Sequence, residues 1–408
     1  MEIVFNMGGA VRTPVLLVAG QDDTESVARN LLRQERTVVV HHRFDGRVVH
    51  RMVTSVQDGV PVTADCLIEL EHGCVACTVR NDLLFLLRRL HRRTDVDRIV
   101  VHLAPWLEPE PICWAINHVR TRLGLGYVDG PAARDVEITG VITCLDSSSW
   151  LAQTLSEDEL DDGRTVAQVV VGQTEFADVV LAPRVDRAGV AVLRRLAPRA
   201  WIVQLPEHVE EALANLDRDA RRGRSTDPLG PLLAGEPPLA VDGEVAIIEF
   251  AAARPFHPQR FHDALDVLLT GVVRTRGRVW LANQPEQVMY LESAGGGLRT
   301  SVAGKWLAAM SDSEIVYVEP ERRALAGLAW DDQHGDRRTS LVILVCGAEH
   351  IQIQEALESA LLTDDEMNHP HCWPDYPDPF GDWHEEPCAD GASHTESPTS
   401  TTNYGENR

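Results

Sequence analysis

The sequence predicts an α/β protein, with a mostly parallel sheet of P-loop type covered by helices on both faces, followed by a smaller α+β domain. Three observations carry that expectation. From residue 13 to about 216, short apolar β-rich runs alternate with helically spaced segments, the pattern of strands joined by crossover helices. Residues 217–242 are rich in Arg, Asp, Pro and Gly and read as a linker. Beyond them a second group of strands is flanked by only two helices, which suits one antiparallel sheet.

Taken in order, the first-domain strands are expected at 14–19, 38–42, 98–103, 136–145, 177–181 and 201–203. Helices fall at 27–33, 82–90, 112–123, 166–176 and 190–196, where apolar residues recur at three- and four-residue spacing. In the second domain (243–365), strands are expected at 244–250, 272–282, 288–292, 298–302 and 340–346, with helices at 258–269 and 351–362. Residues 1–12 form an N-terminal extension. The 366–408 segment is polar, and from Cys388 onward it lacks the apolar content to fold alone.

Composition narrows the function classes. A chain of 408 residues that is 44% hydrophobic can bury two or three domain cores. It contains no apolar run of the roughly 20 residues a membrane helix needs, and Met1 to Asn6 has no secretory character, so a cytoplasmic location is expected. Eight scattered cysteines suit metal or thiol chemistry in a reducing compartment better than a disulfide framework. A net charge of −24 opposes an extended nucleic-acid-binding surface. Two local basic runs stand against that background, Arg88, Arg89, His91, Arg92 and Arg93, and Arg218, Arg221, Arg222 and Arg224. Each is either a solvated charged face or a contact for a partner.

The loop after the first strand decides the chemistry. A phosphate-binding loop needs glycines, a lysine and a magnesium-binding hydroxyl, but this one reads Gly20-Gln21-Asp22-Asp23-Thr24-Glu25-Ser26. Ser26 stands at the lysine position and Val27 at the hydroxyl position, and the only lysine of the chain is Lys305. Farther on, Cys74 and Cys77 have the spacing of a zinc half-site, for which Glu71, His72 and Cys66 are candidate additional ligands. The same pair could instead be a redox couple or two buried small side chains. His369, His371, Cys372, His384, Cys388 and His394 form a late cluster that could bind metal or lie solvated.

The segment from Glu71 to Leu83 resembles the Gly-Cys-x-Cys-Cys region of the CobW-like GTPases, a family of metal chaperones and insertases. Glu108-Pro109-Glu110-Pro111 resembles the family's Asp-Pro-x-Pro segment. Residues 177–181 resemble the strand entering its guanine-reading loop. Residues 254–258, 271–280, 303–306 and 335–338 resemble the CobW C-terminal domain. Set against the family pattern, Cys74-Val75-Ala76-Cys77 lacks the middle thiol, His102-Leu103-Ala104-Pro105 replaces Glu-Thr-Ser-Gly, and Pro183-Arg184-Val185-Asp186 keeps only the aspartate of Asn-Lys-x-Asp.

These departures lead the sequence reading to expect no GTP or Mg²⁺ binding and no GTPase activity, because phosphoryl transfer depends on positioning and charge neutralisation. Zinc remains as a candidate metal at Cys74, Cys77, Glu71 and His72. The chain looks closest to an actinobacterial branch with a degenerate P-loop that includes a mycobacterial recruitment factor for the ribosome hibernation-promoting protein. That resemblance implies a non-enzymatic adaptor in zinc-starvation-linked ribosome hibernation. Its partners would be the 30S subunit and a hibernation-promoting factor, with Arg88, Arg89, Arg92 and Arg93 as candidate partner contacts and no membrane association. The alternatives are a GTP-dependent zinc metallochaperone and a nucleotide-independent zinc sensor or store.

Overall fold

The computed structural model describes residues 12–71, 74–124 and 126–381. The first sheet contains β1 (Thr13–Gly20), β2 (Thr37–Phe44), β3 (Val49–Gln57), β4 (Val60–Ile68), β5 (Arg98–His102), β6 (Val136–Cys144), β7 (Val179–Leu181) and β8 (Trp201–Val203). Its order is β4-β3-β2-β5-β1-β6-β7-β8. Strand β2 and strands β5 to β8 run parallel around β1, while β3 and β4 extend the sheet as an antiparallel hairpin. Alternation along β1 explains the two helical layers. Val15, Leu17 and Ala19 enter the core beneath the Val75–Leu90 and Pro109–His118 helices. Leu16 and Val18 enter the opposite core, beneath the Thr24–Leu31 and Val209–Ala214 helices, as the two-residue period of a strand requires.

The second sheet contains β9 (Val245–Ala252), β10 (Val272–Val279), β11 (Gln287–Ala294), β12 (Gly297–Lys305) and β13 (Thr339–Cys346). It is wholly antiparallel, in the order β12-β11-β10-β13-β9. The helices Pro258–Ala264 and His350–Ala360 pack on it, their Phe261, Ile353 and Leu357 buried with Ile248 and Ile343. The fold class is therefore the α/β P-loop-type sheet followed by a smaller α+β domain. Among the described residues, no helix is long and apolar enough to cross a membrane.

Three local differences from the sequence pattern have physical causes. The β3/β4 hairpin is missing from the sequence-derived set, although Asp58 and Gly59 mark it: both take positive φ, 51° and 79°, as a two-residue turn between twisted strands needs. The helix expected at 82–90 begins at Val75, because the Cys74 sulfur caps its first turn by accepting from the Cys77 amide. The helix expected at 112–123 ends at His118, since Val119 has already turned to extended backbone.

The two domains share a core. Val170, Val180 and Leu196 from the first meet Val245, Val273 and Leu344 from the second. A buried ion cluster reinforces this contact. The Glu175 carboxylate receives Arg274 at 3.0 Å and Arg276 at 2.7 Å, and Arg274 also reaches Glu292 at 2.7 Å. Burial alone would push the Glu175 carboxyl up, but the neighbouring guanidiniums of Arg274, Arg276 and Arg221 outweigh it and hold the group below its ordinary value.

Arg88, a candidate partner contact by sequence, is 1% exposed and cannot meet another molecule. It points inward because the Val75–Leu90 helix lays Leu84, Leu87 and Arg88 against the domain. There its guanidinium pairs with Asp135 at 2.7 Å and donates to the carbonyls of Thr121, Val128 and Gly130. Its role is to tie the 121–135 segment to the sheet.

Where β2 and β5 end, the rings of His41 and His102 lie 4.5 Å apart. Burial, and next the neighbouring His41, push His102 down to about 4, against a small opposing pull from Glu25.

Two outcomes follow from these packing arrangements. Arg88→Ala removes the ion-pair partner of Asp135 and a donor shared by three carbonyls and should cost about 3–5 kcal/mol in urea unfolding; a loss within error of zero would contradict the buried clamp. His102 refuses in the native state a proton that the unfolded chain binds below its ordinary value of 6.5. Its contribution is therefore complete above that pH and is lost as pH falls toward 4, by about 3 kcal/mol in total. His102→Asn should flatten the stability profile in that window, and an unchanged slope would contradict the assignment.

Candidate functional site

The loop after β1 retains the strand-turn-helix path of a phosphate loop and fills it with the protein's own polar groups. Gly20 sits at φ 125°, and a Cβ there would lie 2.0 Å from the Cys144 carbonyl oxygen, so only glycine fits. Gln21 then reaches across the crevice, its Nε2 donating to the Pro105 carbonyl at 2.6 Å and to Gln173 Oε1 at 3.0 Å. Gln173 completes the latch by donating to the Pro105 and Leu107 carbonyls, each at 2.8 Å. An amide pair thus bridges the loop to the segment that follows β5. Neither glutamine was singled out by sequence; the partners lie 152 residues apart, and no local pattern links them.

Charge in this crevice is negative. Asp22, Asp23 and Glu25 stand at the start of the Thr24–Leu31 helix, where Asp23 adopts a left-handed φ of 54° and makes no side-chain cap. Burial, with Asp23 and Asp22 adding to it, pushes the Cys144 thiol far up, leaving it a neutral apolar side chain. The single lysine is on the other domain, its Nζ 3.0 Å from Glu314. Asp186, which the sequence leaves as the remnant of a guanine-reading loop, caps the Arg187–Leu196 helix by accepting from the Gly189 amide at 2.7 Å.

The two candidate thiols straddle a helix N-terminus. Cys74 Sγ is 3.4 Å from the Cys77 amide, and Arg80 Nη2 lies 4.0 Å from Cys77 Sγ. The positive end of the helix and a guanidinium both favour negative charge on sulfur. Glu71 belongs to the same turn: its carboxylate accepts from Asn81 at 2.6 Å, while its amide donates to Thr78 Oγ1 at 2.8 Å. Beneath them Asp82 holds His42 at 2.8 Å and Arg51 at 2.6 Å, fixing the helix to β2 and β3. His72 lies outside the described residues. Cys66 is exposed on β4 and directs its thiol to the Leu67 carbonyl. Among the described residues, no three His, Cys, Asp or Glu side chains form a group able to hold a metal ion.

Other candidates separate in space. His369 donates from Nδ1 to the Asp365 carbonyl at 2.8 Å and faces the His371 ring edge-on, whereas His384, Cys388 and His394 lie outside the described residues. Arg92 lies over the Tyr127 ring at 3.7 Å, Arg93 pairs with Asp95, and Arg89 is exposed on the Val75–Leu90 helix. In the second basic run, Arg222 and Arg224 spend their guanidiniums on carbonyls of residues 216–221.

The chain is similar to known proteins over both domains. Residues 32–204 match the CobW/HypB/UreG nucleotide-binding domain, and residues 245–361 match the cobalamin synthesis protein CobW C-terminal domain. A zinc chaperone of Mycobacterium tuberculosis is 60% identical over 398 residues, covering 98% of this chain and 100% of the relative. Zinc-regulated GTPase metalloprotein activator 1 of Dictyostelium discoideum is 23% identical over 330 residues, covering 74% of this chain and 67% of the relative. The zinc chaperone CobW of a Sinorhizobium species is 24% identical over 208 residues, 46% of this chain and 55% of the relative. These findings overturn the expected ribosome-hibernation adaptor, together with its 30S and hibernation-factor partners and its role in translation: relatives at both high and low identity carry zinc-chaperone or metalloprotein-activator names. The inward-facing Arg88 removes part of the basic surface on which such a contact would have rested. The chain belongs to the CobW family, with a CobW/HypB/UreG nucleotide-binding domain joined to a CobW C-terminal domain.

Proposed function

We propose that this protein is a zinc chaperone that carries the ion at Cys74 and Cys77 and passes it to a client metalloprotein by ligand exchange. The observation that carries the reading is the pair of sulfurs at one helix N-terminus, beside Arg80 and within the same turn as Glu71. The relative in Mycobacterium tuberculosis, named a zinc chaperone, supports it. Zinc prefers four ligands, and in this reading two come from the cysteines while Glu71 and His72 are candidates for the others. Glu71 would first release Asn81, at a cost of roughly 1 kcal/mol. A site that closes only partly on its cargo can exchange ligands with a client more readily than a sealed structural site.

In the same reading, zinc is held without help from GTP at the 20–26 loop. Asp22, Asp23 and Glu25 oppose a polyphosphate, and the bridge from Gln21 to Gln173 already uses the polar groups that line the crevice. The GTP-dependent form of the chaperone is the second reading, favoured by the surviving path of the loop through Gly20.

Two measurements decide between them. Competition with a chromophoric zinc chelator should give saturable binding that weakens by at least about tenfold, ~1.4 kcal/mol, in the Cys74→Ala/Cys77→Ala protein; equal affinity in both would remove the proposed site. Calorimetry with GTP and Mg²⁺ should give no saturable heat with the unaltered protein. A saturable signal would instead install the GTP-dependent reading.

A further inference from the structure

A cavity of about 310 Å³ lies at the boundary between the two domains. Six arginines line it: Arg195, Arg199, Arg221 and Arg224 from the first domain and the segment that follows it, and Arg274 and Arg276 from β10. Three carboxylates share the lining, Glu175, Asp178 and Asp219, and Glu110 and Glu292 stand close behind. Leu196, Leu233, Ile247 and Leu344 supply an apolar wall.

The distribution of partners is uneven. Glu175 is consumed by Arg274 and Arg276, and Asp178 is held by the amides of Val141 and Arg222. The other four guanidiniums meet neutral oxygens. Arg221 donates to Thr226 Oγ1 at 2.7 Å, Arg224 to the carbonyls of Ala220 and Arg221, and Arg199 to the Asp219 carbonyl at 3.4 Å. Arg195 donates to the carbonyls of Ala191 and Ala240. Its Nε is buried without a hydrogen-bond partner, on a residue only 7% exposed. Arg221 also lies over the Phe176 ring, and burial pulls its guanidinium below its ordinary value. Four guanidiniums gathered around one cavity and hydrogen-bonded only to neutral oxygens favour an anion that joins them, and arginine forks suit phosphate and carboxylate oxygens.

We infer that this interdomain cavity is a binding site for a small phosphorylated molecule, its phosphate held by Arg199, Arg221 and Arg224 and its less polar body lying against Leu196, Leu233 and Ile247. A ligand there touches both domains, so its binding favours their docked arrangement by linkage. The site is separate from the cysteine turn and does not depend on zinc binding there.

The test uses the full-length protein, with adenosine 5′-monophosphate and inorganic phosphate as probes in thermal unfolding and calorimetry. Saturable stabilisation by either probe is expected. Tighter binding of the nucleotide assigns an organic phosphate, and equal affinity assigns phosphate itself; both support the site. Arg199→Ala/Arg224→Ala, which removes two exposed side chains bonded only to carbonyls, should weaken binding by about tenfold or more while leaving the circular dichroism spectrum unchanged. The Cys74→Ala/Cys77→Ala protein should bind the probes as the unaltered chain does. Absence of saturable binding at about 10 mM, an affinity too weak to use, or equal affinity in the arginine variant, overturns the inference.

Discussion

A buried carboxylate between two arginines holds the architecture together. Glu175 lies at the C-terminal end of the Val166–Glu175 helix, where a negative charge faces the negative end of the helix dipole. It is tolerated because Arg274 and Arg276, alternate residues on the same face of β10, converge on it from the other domain. Removing any member would leave an unmatched charge inside protein, which is far more costly than exchanging the whole set for apolar residues. The orientation of the C-terminal sheet, the shared core of Val170, Val245 and Leu344, and the cavity beside them all depend on this contact.

The crevice at the carboxyl edge of the first sheet follows a related logic with opposite charge. A parallel sheet leaves a cleft outside its strand ends, where such folds place ligands. Here β1 delivers Gln21, Asp22 and Asp23, β2 delivers His41, and β5 delivers His102. The glutamine bridge satisfies the Pro105 and Leu107 carbonyls without a ligand, and the two imidazoles, both held below their ordinary values chiefly by burial, add no positive charge near neutrality. The polar side chains that line the crevice are thus engaged with one another across it. The turn before the Val75–Leu90 helix is a different environment, where the Cys74 sulfur accepts from the Cys77 amide and Arg80 lies beside Cys77.

Much of this was legible along the chain. The alternation of Val15, Leu17 and Ala19 with Leu16 and Val18 marks a strand buried on both faces, and the period of Leu83, Leu84, Leu87 and Leu90 marks a helix laid on it. The cysteine spacing and the acidic loop could be read directly. The β3/β4 hairpin was also within reach, through Asp58-Gly59, but its half-exposed strands carry too weak an apolar signal to stand out. Arginines misled, because a run of charge in sequence says nothing of which side of a helix each guanidinium takes. Arg88 and Arg89 are neighbours, one fully buried and the other exposed.

By itself the sequence determined the order and type of the main elements, the family, and the acidic, lysine-free character of the 20–26 loop, because these depend on local periodicity and on residues close together in the chain. Only the tertiary structure decided that Gln21 bridges to Gln173, that Arg88 clamps residues 121–135, and that arginines from residues 195 to 276 gather around one cavity. Those contacts join positions far apart in sequence, and their strength comes from burial, a property that a side chain acquires only when distant segments fold over it.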